Sequence, residues 1–180
     1  MLCAAANMMA IEYKIALNEG DYVSAALTPC AGKCSTVFGD SVCRGCRRFS
    51  HEVIHWNNYS QEEQQFIWQR LDEQLDQILL PLVSIQDNAA LITFLQSRQV
   101  KLLDTASDGR KIYHALRICQ RSPHCLQEAG LTILPEHLKK IWDLFEHRIY
   151  SLAVANFEMA WLRAAHFSDS QIKHGSSKDD

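Results

Sequence analysis

From Ser50 onward, apolar residues recur with a helical period. Ile67, Leu71, Leu75, Ile78 and Leu82 follow at spacings of four, four, three and four, which puts them on one face of a helix. Ser60, with Glu63 three residues later, forms the capping box that opens this helix. Pro81 ends it or kinks its last turn. Ser50 can cap a shorter helix carrying Val53, Ile54 and Trp56. Leu91, Ile92, Phe94 and Leu95 predict a helix over 87–97. Asp108-Gly109 marks a turn, after which Ile112, Leu116 and Cys119 predict a helix that stops before Pro123. Pro135 suits the first turn of a long helix striped by Leu138, Trp142, Phe145, Ile149, Leu152 and Phe157, extending toward Trp161. Residues 136–165 would make a rod of ~45 Å, with room for a partner helix or a dimer interface. Val100–Leu103 is either a short strand or the end of the preceding helix. As a strand it could pair with Leu131–Leu134 in a two-stranded ribbon.

The pattern fails in three places. Residues 1–27 are a weakly periodic leader with one short helix expected around Ile11 to Leu17. Residues 28–49 hold cysteines and little that is apolar, so hydrophobic burial alone cannot fold them and a metal would supply the missing free energy. Residues 168–180 are polar, with the composition of a disordered tail. The expected fold class is mainly α: a cysteine-rich metal-binding module over 28–60, then a helical body of four or five helices over 61–167.

Composition narrows the function. The 180 residues are 47% hydrophobic and 22% charged, enough for one domain with a real core. A net charge of −3 argues against a general binder of nucleic acid or anionic membrane. No apolar run reaches the ~18 residues that span a bilayer. Met1–Ala10 has no basic leader before Glu12 and Lys14, which makes it a poor signal peptide. The expected compartment is the cytoplasm, where clustered thiols are metal ligands or redox groups rather than disulfides.

The cysteine segment runs Thr28-Pro29-Cys30-x3-Cys34-x8-Cys43-Arg44-Gly45-Cys46. Two close pairs joined by a short loop let Cys30, Cys34, Cys43 and Cys46 converge on one centre, either zinc or an iron–sulfur cluster. Gly32 and Gly45 lie inside the pairs, where the backbone must turn sharply and can aim N–H groups at sulfur. The competing readings are four thiols packed as small hydrophobes, for which the surroundings are too polar, and a redox disulfide between Cys43 and Cys46. Cys3, Cys119 and Cys125 lack partners at ligand spacing, and the set His114, Cys119, His124, Cys125 is irregular. These residues are expected to be packing or incidental groups.

Lys33, Arg44, Arg47 and Arg48 surround the cysteines. They could contact phosphate weakly, with Phe49 or Trp56 stacking on a base, or offset the negative charge of a tetrathiolate centre. The net charge of the chain favours the second. His51-Glu52-Val53-Ile54-His55 matches the His-Glu-x-x-His pattern of zinc hydrolases. The extended motif is missing, since Asn58 and Gln61 stand where Gly and His would, and Glu73 has no independent support as a third ligand.

Pro29-Cys30-x3-Cys34, Cys43-x-Gly45-Cys46-x-Arg48 and Glu52-Val53-x2-Trp56 together resemble the small bacterial four-cysteine domain of unknown function typified by YdhL-like proteins, over residues 28–80. That resemblance implies a predicted iron–sulfur protein with Cys30, Cys34, Cys43 and Cys46 as ligands. Arg48, Glu52 and Trp56 would be signature positions of unassigned role. Ser41, where relatives often carry glycine, and Arg47, where many carry a small residue, make the rim bulkier and more basic. Glu52 and Trp56 belong to this pattern without the flanking histidines, which counts further against a hydrolase. The expected function is non-enzymatic: a metal- or cluster-binding accessory protein that contacts another macromolecule, in the first place a protein. Alternatives are an electron-transfer or cluster-dependent partner of an enzyme, and a zinc hydrolase.

Overall fold

A computed structural model describes residues 28–175, with side chains described as far as Phe167. The leader and its expected helix around Ile11 to Leu17 lie outside the described residues. The order of helices is α1 (Ser50–Ile54), α2 (Gln61–Leu79), α3 (Asn88–Ser97), α4 (Asp108–Cys119), α5 (Cys125–Glu128) and α6 (Leu138–Gly175). The architecture is mainly α, as the apolar periodicity predicts.

Local signals account for the helix ends. Ser60 Oγ accepts from the Glu63 N–H at 3.2 Å, and the Glu63 carboxylate accepts from the Ser60 N–H at 2.7 Å, closing the expected capping box. Asp87 caps α3 by accepting from the Ala90 N–H, and Ser107 caps α4 by accepting from the Arg110 N–H. Pro135 sits in a 3-10 turn, Pro135–His137, that leads into α6.

Helix α2 packs chiefly on α4 and also on α6, while α3 packs on α4. Leu79, Leu91, Ile112, Leu116, Leu126, Phe145 and Ile149 meet in the largest core cluster and are almost wholly buried. A second cluster joins Trp56 to Ile67, Trp68 and Leu71 of α2 and to Leu103 and Ala106.

Three expectations change. Asp108-Gly109 is not a free turn but the first turn of α4. The Gly109 N–H donates to Asp76 Oδ1 at 2.7 Å, and a Cβ there would lie 2.6 Å from the Asp76 backbone nitrogen. The glycine is required by the close approach of two helices. Second, Leu131 bridges to Ile85, not to Val100–Leu103. Gly130, at φ +61°, turns the chain so that its carbonyl accepts from the N–H groups of Gln86 and Asp87, which draws Leu131 to the α2–α3 connection. Among the described residues β structure is limited to isolated bridges. Third, α6 continues to Gly175, through polar residues assigned to the tail; no proline intervenes, and an established helix propagates readily. No helix among the described residues is long and apolar enough to cross a membrane.

Candidate metal centre

The second cysteine pair sits in a tight reversal of the chain. Cys43 N–H donates to the Arg48 carbonyl and Arg47 N–H to the Cys43 carbonyl, both at 2.8 Å, and Val42 bridges antiparallel to Phe49. Arg47 takes the left-handed conformation at φ +62°. That conformation is uncommon for a residue with a Cβ, so its surroundings must hold it there. Gly45 answers a different need. A Cβ on it would run into the Lys33 carbonyl, so glycine lets the Cys30–Cys34 arm lie against the Cys43–Cys46 arm. Gly32, at φ +77°, is the glycine that turns.

Further bonds lace the arms together. Arg44 N–H donates to Ser35 Oγ at 2.9 Å, and the Cys43 thiol lies 3.7 Å from the Lys33 carbonyl. Burial of Cys43 alone would raise its pKa. The backbone N–H groups of Cys46, Ser35 and Gly45, with the Cys46 side chain, outweigh burial and hold the thiol at about 7. Burial pushes the Cys46 thiol up, against the Arg48 guanidinium, whose Nε lies 3.3 Å from its sulfur. Cys34 Sγ is 3.0 Å from Thr36 Oγ1, and Cys30 is exposed. Cys43 and Cys46 are thus in contact, with Cys34 one residue from the Ser35 donor. Among the described residues no three His, Cys, Asp or Glu side chains stand at ligand spacing. Four thiols are donors of the kind a thiophilic centre takes, and among them Cys43 is the one whose surroundings lower its pKa.

The basic rim is mostly not a rim. Arg47 and Arg48 are 6% and 3% exposed. Arg47 pairs with Glu146 of α6 and donates to the Gly45 carbonyl. The Arg48 guanidinium lies over the Trp56 ring, 4.7 Å from its centroid. Arg44 pairs with Asp40 and covers the Tyr150 ring, while Lys33 faces outward. Only Lys33 and Arg44 are exposed in the way a phosphate contact needs.

The signature positions acquire physical roles. Glu52 Oε2 accepts from the Phe49 N–H at 2.8 Å, capping α1, and from Arg70 of α2 at 2.6 Å. Arg70 in turn lies 4.0 Å from the centroid of the Phe49 ring, which meets Phe157 edge-on. Arg48, Glu52 and Trp56 therefore join the cysteine loop to α2. The Glu52 carboxylate, which would be the base of a His-Glu-x-x-His hydrolase, is engaged through Oε2 by two structural donors. Glu73 is engaged instead by Gln69. Cys119 and Cys125 are buried in the main core cluster, as packing thiols are.

The site thus defines a helical protein with a short cysteine loop docked on its longest helix. Residues 28–75 match the family described as "Protein of unknown function (DUF1289)", which takes in the cysteine segment and most of α2. No curated protein and no solved structure matches the chain.

Proposed function

We propose that Cys30, Cys34, Cys43 and Cys46 hold one metal centre, and that the protein is a non-enzymatic cytoplasmic accessory factor whose loaded module contacts a protein partner. The observation that carries this reading is that the two cysteine arms lie against each other, Gly45 against the Lys33 carbonyl and the Arg44 N–H on Ser35 Oγ. The lowered pKa of the Cys43 thiol supports it, since thiolate is the form that binds metal. The resemblance to predicted iron–sulfur proteins tips the preference slightly toward a cluster over zinc. Contact with nucleic acid through Lys33 and Arg44 would be weak and salt-sensitive.

The test is metal analysis of protein purified without oxygen and with iron supplied. The expected product is brown and contains iron and acid-labile sulfide. Serine in place of any one of the four cysteines should remove most of the metal, whereas Cys119→Ser and the double change His51→Ala, His55→Ala should not. A colourless protein with one equivalent of zinc would make the centre a structural staple. Full metal retention in two of the four single variants would sink the shared site.

A further inference from the structure

Between the cysteine loop and the α2–α4 face lies a cavity of about 100 Å³. Its walls carry Arg47, Lys101, Arg110 and Arg117, and no aspartate or glutamate. Two of these charges are balanced from behind, Arg47 by Glu146 and Arg110 by Asp72. Lys101 and Arg117 are exposed and have no carboxylate partner among the described residues. His114, in the same wall, is pushed down to about 4, first by burial and then by Arg110 and Arg117. The wall therefore already resists a further positive charge.

Buried polar atoms without hydrogen-bond partners gather at the same place. Gln74, 3% exposed, has both amide atoms unpaired, and Trp68 Nε1 and Arg47 Nε are unpaired beside it. A buried polar group left unpaired is costly, so such groups normally face an acceptor, a ligand or ordered water. Gln74 also borders a second cavity, which Trp68 and Arg47 do not line. Thiolates at Cys30 and Cys46 would offset part of the positive charge. They would not replace a ligand able to reach an amide and an indole N–H together.

We propose that this cavity is a binding site for a compact oxyanion, a phosphate or the carboxylate of a small metabolite, held by Gln74, Trp68 and the Lys101–Arg117 pair. The volume equals roughly three water molecules, enough for one such group and too little for a nucleotide.

Calorimetric titration of the full chain at low salt tests it, with inorganic phosphate and succinate as separate probes. One of the two should bind saturably at one equivalent, and the one that binds identifies the chemistry. Lys101→Ala with Arg117→Ala should weaken that binding about tenfold or more. Gln74→Leu, which replaces a buried unpaired amide by an apolar side chain and should fold, should weaken it about fivefold. Arg121→Ala, an exposed arginine outside the cavity, should leave it unchanged. Absence of saturable heat with both probes would leave the orphaned groups to water and overturn the site. So would affinity unchanged in the two cavity variants, or lowered equally by Arg121→Ala.

Discussion

The cysteine loop and the helical body are held together by different physics. The body follows the hydrophobic rule: eight of its large aliphatic and aromatic side chains, from Leu79 to Ile149, are almost wholly removed from water in one cluster. The loop contributes only Val42 and Phe49 to an apolar cluster, completed by Ala153 of α6. It docks instead by guanidinium groups laid on aromatic rings: Arg44 on Tyr150, Arg47 on Phe145 and Arg48 on Trp56, with Arg70 of α2 on Phe49. Each such contact contributes about 0.5–2 kcal/mol depending on burial. A segment too polar to form a core can still be seated firmly, provided its cations find rings and carboxylates on the body.

This contrast can be broken experimentally. Leu116→Ala should have the largest effect, destabilising the body by about 2–5 kcal/mol through a core cavity. Urea unfolding would measure it. The reactivity of the Cys43 thiol below the transition should not change, and a faster reaction there would show that the two regions are not separately held.

Acid should act next most strongly, at the seam between the regions. His114 titrates near 4 in the folded protein, because burial and then Arg110 and Arg117 disfavour its charged form. The unfolded chain, titrating near the ordinary value of about 6.5, binds the proton first. The stability His114 contributes is complete above that value and is lost as pH falls toward about 4, by on the order of 3 kcal/mol. Urea midpoints at about pH 7 and about pH 5 should differ less for His114→Asn than for the native protein. Equal losses would show that His114 is not the group responsible.

Glu52→Gln should have the smallest effect, about 1.5–3 kcal/mol, because it replaces charge-assisted bonds to Arg70 and to the Phe49 N–H by neutral ones. Its effect should be local. Hydrogen exchange should accelerate at Val42 to Trp56 and remain slow at Leu71 to Leu79. Uniform acceleration would mean that the loop and α2 open as one unit.

The difference between the regions also governs what the sequence discloses. The Ser60–Glu63 box and the stripe of α2 are legible because they depend on neighbours three and four residues away. The Cys43–Cys46 contact is legible for the same reason. The burial of Arg47 is not, because its partners Phe145 and Glu146 lie about a hundred residues further along. From sequence alone a run of arginines beside cysteines reads as surface. Gly109 misleads in the same way: Asp-Gly signals a turn, yet the glycine is demanded by Asp76, an α2 residue 33 positions away. The short α5 escapes because Cys125–Glu128 is a single turn with no side-chain cap.

The long reach from Arg47 to Glu146 has a consequence for how the protein is made. The two residues are 99 positions apart, and at about 5–20 residues per second their synthesis is separated by roughly 5–20 s. Throughout that interval Cys30, Cys34, Cys43 and Cys46 exist without Tyr150, Ala153 and Phe157, the surface on which their loop comes to rest. A chain cut short before α6 would carry every cysteine yet offer the loop nowhere to dock. Among the described residues α6 is the last helix translated, and it decides when the loop carrying Cys43 and Cys46 can dock.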